Sequence, residues 1–169
     1  STVASVLTCF AVPDVAPTGW STAIVRDEIA PTFRYEPQGG PAHDGAFVIE
    51  SDQRPGLIGR WLRTYPVTGG RHYAFSALRR ATNTDGRRAA VVRVLWRDAK
   101  GRPVSHDDPS PASYRPGEKP RAEPEYPLDR ATDAHGWTEV SDIYLAPSQA
   151  TQALIELEFR WAAQTRVEW

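Results

Sequence analysis

The segment ALIELEFRW, residues 153–161, alternates with a period of two that a helix cannot use. An extended strand sends successive side chains to opposite faces. It therefore collects Ala153, Ile155, Leu157, Phe159 and Trp161 on one side, and Leu154, Glu156, Glu158 and Arg160 on the other. This pattern predicts a half-buried strand with one apolar wall, both Trp161 and the similarly placed Trp96 lying in the core. The same period recurs in RHYAFSALRR, which groups Tyr73, Phe75 and Ala77, and in AAVVRVLWRD, which groups Ala90, Val92, Val94 and Trp96. A sheet with one apolar face must be covered, and without amphipathic helices the cover is another sheet.

Shorter strands are expected in EIAPTFRYE, GAFVIES, GLIGRWLRTYPV and GWTEVSDIYLAP, with Pro31 suited to an edge. Fifteen prolines and twelve glycines punctuate these runs. Thr68–Gly70, Asn83–Gly86 and Asp98–Gly101 read as tight hairpin turns that imply antiparallel pairing. The expected fold is all-β, an antiparallel two-sheet sandwich, in a single domain over 1–169. A Pro-rich loop at about 102–135 interrupts it, carrying nearly half of the prolines and no sustained alternation. Loops this long inside a compact domain are usually functional or disordered, and Tyr114 and Tyr126 favour an ordered one.

With 20 basic and 21 acidic residues the formal charge is −1, which argues against nucleic acid or an anionic membrane as partner. Cys9 is the sole cysteine and cannot form an internal disulfide; four histidines offer no structural zinc spacing. Residues 1–12, STVASVLTCFAV, fit either a first strand or the remnant of a secretory signal, and no longer apolar run follows. Secreted or periplasmic placement is favoured, with a cytoplasmic one left open.

The order of GW, RDEIAPTF, IESDQRPGLIGRWLRTYPVTGGRHYAFSALRR, VLWRDAKG, GWTEVSDIYLAP and VEW is similar to galactose-binding-like jelly-roll modules found beside hydrolases. From Trp20 onward it resembles the carbohydrate-binding-module-like domains that precede carbon-nitrogen hydrolase domains in planctomycete-like bacterial proteins. That resemblance implies a jelly roll and a polysaccharide or oligosaccharide ligand, bound on a concave sheet face or at the loop end. It also implies that a structural calcium is possible, with Glu28 and Glu168 as carboxylate candidates whose alternative is an exposed salt-bridging role, and the pair Asp107 and Asp108 as a second candidate whose alternative is a solvated acidic loop. Hydrolase activity would reside in a covalently linked catalytic domain absent from this chain.

Sugars are held by aromatic faces against ring C–H groups, with polar side chains fixing the hydroxyls. Trp61, Arg63 and Tyr65 share one face of their strand, and form either an exposed aromatic and cationic strip or a core tryptophan with a rim arginine. Tyr114 and Tyr126, with Asp107 and Asp108, form a second candidate set; the alternative is that the tyrosines only pin the loop. Trp20 and Trp137, after glycines at strand entrances, read as structural. Arg79, Arg80, Arg87 and Arg88 suit an anionic polysaccharide or simply solvated strand ends. A sugar-binding accessory module is the leading reading. The alternative is a structural or protein-interaction module without a sugar ligand.

Overall fold

A computed structural model describes residues 15–108 and 118–169; residues 1–12 and Tyr114 lie wholly or in part outside them. The strands are β1 (Ser21–Ile24), β2 (Thr32–Glu36), β3 (Ala46–Glu50), β4 (Ile58–Pro66) and β5 (His72–Thr82). They continue as β6 (Ala90–Arg97), β7 (Leu128–Thr132), β8 (Thr138–Leu145), β9 (Gln152–Arg160) and β10 (Arg166–Glu168). A four-stranded sheet in the order β1-β4-β9-β6 faces a six-stranded sheet in the order β2-β3-β10-β5-β8-β7. Every ladder is antiparallel. The fold is the expected two-sheet β-sandwich.

The turns do different work from that expected. Only β2 with β3, and β7 with β8, pair as sequence neighbours. Thr68–Gly70 and Asn83–Gly86 are not hairpin turns: each carries the chain from one sheet to the other, as β4 and β6 lie opposite β5. Asp85 accepts a hydrogen bond from Arg87 N at 3.0 Å, capping a single helical turn, Gly86–Ala89, at the second crossing. Asp98–Gly101 does reverse the chain, Gly101 N donating to Asp98 O at 2.9 Å. The loop drawn at 102–135 is shorter than expected, because LDRAT forms edge strand β7, too short and polar to show a period.

Strand β9 is bonded along both edges. Its register sets Trp61 against Leu157 on β4, and Val92 against the same Leu157 on β6. Ile155, Leu157 and Phe159 enter the core, Phe159 at 0% exposure, beside Val92, Val94 and Trp96. The second face is not open to solvent, contrary to a half-buried strand. Glu156 and Glu158 are buried there beneath Arg60 and Arg93, which reach both carboxylates at 3.3–3.5 Å. Arginine stems cover the carboxylates they neutralise, so a polar face becomes an interior one.

Trp161 departs from the expected core position and is 66% exposed. The alternation ends because its φ of 59° turns the chain out of the pleat after Arg160. Trp61 is core, resolving its two readings. It is 7% exposed, donates its indole N–H to Val48 O at 3.2 Å, and meets Phe33 edge-on at 5.8 Å and Phe47 at 5.2 Å. Gly59 permits this cluster, since a Cβ there would lie 2.6 Å from Phe33 Cζ. Trp96 and Trp137 are buried as expected.

Phe159→Ala should lower unfolding free energy by about 3–5 kcal/mol, because the ring is fully enclosed and the rigid sheets cannot collapse onto the void. Urea unfolding followed by tryptophan fluorescence measures this, and a loss below about 1 kcal/mol would contradict the packing described.

Candidate functional site

Strand β1 pairs with Gly59–Leu62 only, so β4 runs on from Arg63 to Pro66 without a partner from β1. Its other edge stays bonded to β9, with Arg63 opposite Ile155 and Tyr65 opposite Ala153. Tyr65 therefore stands on the inner face at an open margin, 37% exposed. Opposite it, Tyr73, Phe75 and Ala77 turn the inner face of β5 toward the interior, yet remain only half-buried. Register sets Tyr73 beside Tyr144 of β8.

Between these walls the sheets do not close, leaving a cleft of about 450 Å³. Aromatic rings from both sheets line it, Tyr65 and Trp96 on one side and Tyr73, Phe75, Tyr144 and Trp169 on the other. The Arg63 guanidinium lies 4.6 Å from the centre of the Tyr65 ring, bracing it from one side.

Polar groups are few. The Tyr73 hydroxyl accepts from Thr68 N at 2.7 Å, and Trp96 Nε1 donates to Glu125 Oε1 over 3.5 Å. The Tyr144 hydroxyl and Trp169 Nε1 are buried without a partner among the described residues. A buried polar group without a partner costs free energy, and these two atoms, closed to solvent as the structure stands, would meet a ligand's oxygen atoms only after a side-chain rotation. Burial, then the negative charges of Asp142 and Glu125, push the Tyr144 phenol up to about 12. It thus remains a neutral hydroxyl at physiological pH, able to donate.

The predicted residues divide. Arg63 and Tyr65 stand together at the cleft, whereas Trp61 belongs to the core behind it. Asp107 ties the Pro-rich loop to the β8–β9 turn by accepting from the Ser148 hydroxyl and from Ser148 N at 3.0 Å, and these two bonds, the hydroxyl's first, hold its carboxyl below the usual range. Asp108 is exposed, and Tyr126, 50% exposed, stands outside the cleft lining. Tyr114 lies outside the described residues. Arg79 is no solvated strand end: it is 5% exposed and donates to Ala90 O and to Asp129. Sequence reasoning missed Tyr73, Phe75, Tyr144 and Trp169 as site residues, because an inner-face aromatic reads the same whether its sheet closes or stands open.

A calcium between Glu28 and Glu168 does not fit the residues present. Glu168 is 4% exposed and its two oxygens accept from Arg80 Nε at 2.7 Å and Arg166 Nη2 at 3.1 Å. Glu28 lies in the 3-10 turn Asp27–Ile29, and its backbone oxygen accepts from Arg54. Among the described residues no three His, Cys, Asp or Glu side chains gather as a cation site.

No family model matches the sequence, and no curated protein does either. Solved structures share the fold. The enzymatically active domain of tailspike protein 4 from bacteriophage CBA120 superposes with a TM-score of 0.55 at 11% identity, over 89% of this chain and 18% of that one. A Clostridium thermocellum endo-1,4-β-D-xylanase, solved as its CBM22-1 and GH10 modules complexed with xylohexaose, gives 0.53 at 15% identity, over 89% and 24%. The chain thus spans about a quarter or less of those proteins. At such identities the likeness carries the fold, a sandwich like that of carbohydrate-binding modules. The resemblance to carbon-nitrogen hydrolase companions gains no support from it.

Two outcomes test this electrostatic picture. Burial works to raise the Glu168 carboxyl, but Arg80 and Arg166 outweigh it and hold the group below its ordinary value. Its contribution is thus present above the unfolded carboxylate range, about pH 4, and fades as pH falls through the lower folded value. Glu168→Gln should be less stable than the wild type at pH 7, with the gap closing on acidification below about pH 4, as followed by urea midpoints. Tyr144→Phe, which removes an unpartnered hydroxyl, should leave stability within about 0.5 kcal/mol or raise it; a loss above about 1.5 kcal/mol would reveal a partner.

Proposed function

We propose that this chain is a non-catalytic carbohydrate-binding module that receives a polysaccharide or oligosaccharide in the cleft between its sheets. The observation that carries this reading is the composition of that cleft: aromatic rings on both walls and two unpaired donors, Tyr144 Oη and Trp169 Nε1. A pyranose presents C–H faces to rings and hydroxyl oxygens to donors; the rings meet the first demand, and the two donors would meet the second once a side-chain rotation uncovers them. The cleft lining contains no Asp, Glu, His, Cys or Lys among the described residues, so it lacks the paired carboxylates that glycoside hydrolysis ordinarily requires. Likeness in fold to a xylanase structure solved with xylohexaose supports the same ligand class.

In this reading the chain serves as an accessory module outside the cell, keeping a linked catalytic domain near its polymer by raising effective concentration. Among the described residues, no helix is long and apolar enough to cross a membrane. A second reading, a docking module without sugar, is favoured by one observation. Leu78, Leu128, Ile143 and Leu145 stand 42–66% exposed on the outer face of the six-stranded sheet, where a packed partner would cover them.

Affinity gel retardation against soluble xylan, mixed-linkage β-glucan, mannan and galactan, with xylohexaose titrated by calorimetry, distinguishes them. The expected result is retention by at least one glycan, weakened about ten-fold or more in Tyr65→Ala. In Tyr144→Phe the loss of one hydrogen bond, about 1 kcal/mol, should weaken affinity roughly five-fold. A folded wild type retained by none of these polymers would count against the sugar reading and in favour of docking.

A further inference from the structure

Trp161 is the one residue of the apolar alternation that the fold does not use. Its ring is 66% exposed, and its backbone sits at φ 59°, a left-handed conformation that is unusual for a bulky side chain. The position is fixed rather than loose, since Trp161 N donates to Leu57 O at 2.9 Å. Behind the indole the Arg160 guanidinium stacks at 5.2 Å, itself anchored to Arg88 O at 3.3 Å and beside Glu158 at 3.6 Å. An aromatic plane is therefore braced on one side and presented to solvent.

Three residues beyond Trp161, residues 164–166 form one wall of a shallow recess of about 420 Å³, which Trp161 itself does not line. Gln164 adopts φ 51°, its N–H donating to Asp52 O at 2.7 Å, while Asn83, at φ 63°, donates its amide to Gln164 O at 3.1 Å. The recess is lined by polar side chains, among them Gln53, Asn83, Gln164 and Thr82. Such a lining suits hydroxyl groups rather than an aliphatic ligand. Trp161 follows the end of β9, four residues beyond Leu157, the nearest β9 residue of the cleft lining, about 13 Å at strand rise.

We infer that Trp161 and the adjoining recess form a second carbohydrate-contact surface, past the end of β9. The indole is the platform for a pyranose face, and the recess groups bond the hydroxyls of the next unit. This rests on the sugar reading of the cleft and extends it: one module engages two stretches of polysaccharide. Polymer is then held by two weak contacts acting together, whereas a short oligosaccharide meets only one.

The test uses the full chain and the polysaccharide that retains it most strongly among xylan, mixed-linkage β-glucan, mannan and galactan. Trp161→Gly and Trp161→Asn both accept a positive φ, so each should unfold at or above the wild-type temperature. Each should lose about ten-fold or more in polymer retention while keeping disaccharide affinity at the cleft. Combining Tyr65→Ala with Tyr144→Phe should leave a residual polymer retention that Trp161→Gly then abolishes. If both Trp161 variants fold and keep full polymer retention, the second surface is overturned and the cleft reading stands. If the cleft double variant keeps undiminished retention that Trp161→Gly alone abolishes, the second surface stands and the cleft reading falls. A wild type retained by no polymer overturns both.

Discussion

Strand β9 is closed on all four sides, and the rest of the sandwich is arranged around that fact. Its two edges are bonded to β4 and β6, its inner side chains fill the core, and its outer carboxylates lie beneath arginines from those same neighbours. Taking Glu156 and Glu158 out of water carries a desolvation cost that only close, multiple counter-charges offset. Because Arg60 and Arg93 each reach both carboxylates, the charge pattern is satisfied in one register of the three strands. A slip of one residue would carry Glu158 into the core and Phe159 into the ionic layer. The ion network thus selects register as much as it contributes stability.

A second ionic layer covers the outer face of the other sheet. Arg166 donates to Glu36, Glu50 and Glu168, joining β10 to strands on its own side of the sheet, while Arg80 completes the set from β5. Burial opposes its charge, yet these three carboxylates keep the Arg166 guanidinium firmly protonated. With three residues, β10 offers few backbone bonds of its own. Side-chain pairing is what lets so short a strand fill the gap between β3 and β5.

Much of the architecture was legible because it is local. The alternation at Ala153–Phe159 and at Ala90–Trp96 specified strands and their inner faces, and both lie where the period puts them. Pairing was not legible. Thr68–Gly70 has the composition of a hairpin turn, but whether the chain returns to its own sheet or crosses to the other depends on contacts far away in sequence. Trp161 illustrates the same limit: its parity assigned it to the core, and a single backbone rotation removed it. Of the site, Arg63 and Tyr65 were legible as face-sharing residues on β4, whereas Tyr144 and Trp169 join them only through the packing of β8 and β10.

The cleft and the Trp161 turn depart from what folding alone favours, as do the buried, unpartnered Nε atoms of Arg60 and Arg93 and the positive φ of His43. Elsewhere local preference and tertiary demand agree: Arg79 is buried and bonded, Trp61 is buried and its N–H satisfied, Asp85 caps a turn. At the cleft, two donors carried by the six-stranded sheet are buried unpaired; at the turn, a large ring holds a backbone conformation suited to glycine and covers little. Folding alone would favour Phe in place of Tyr144, which removes an unpaired hydroxyl, and would favour Gly in place of Trp161 for its backbone, at the loss of the Arg160 contact. Departures of this kind are expected where a sequence meets a demand other than stability. On the proposed reading both departures would serve a sugar ring, one as a donor without a partner and the other as an aromatic face without a cover.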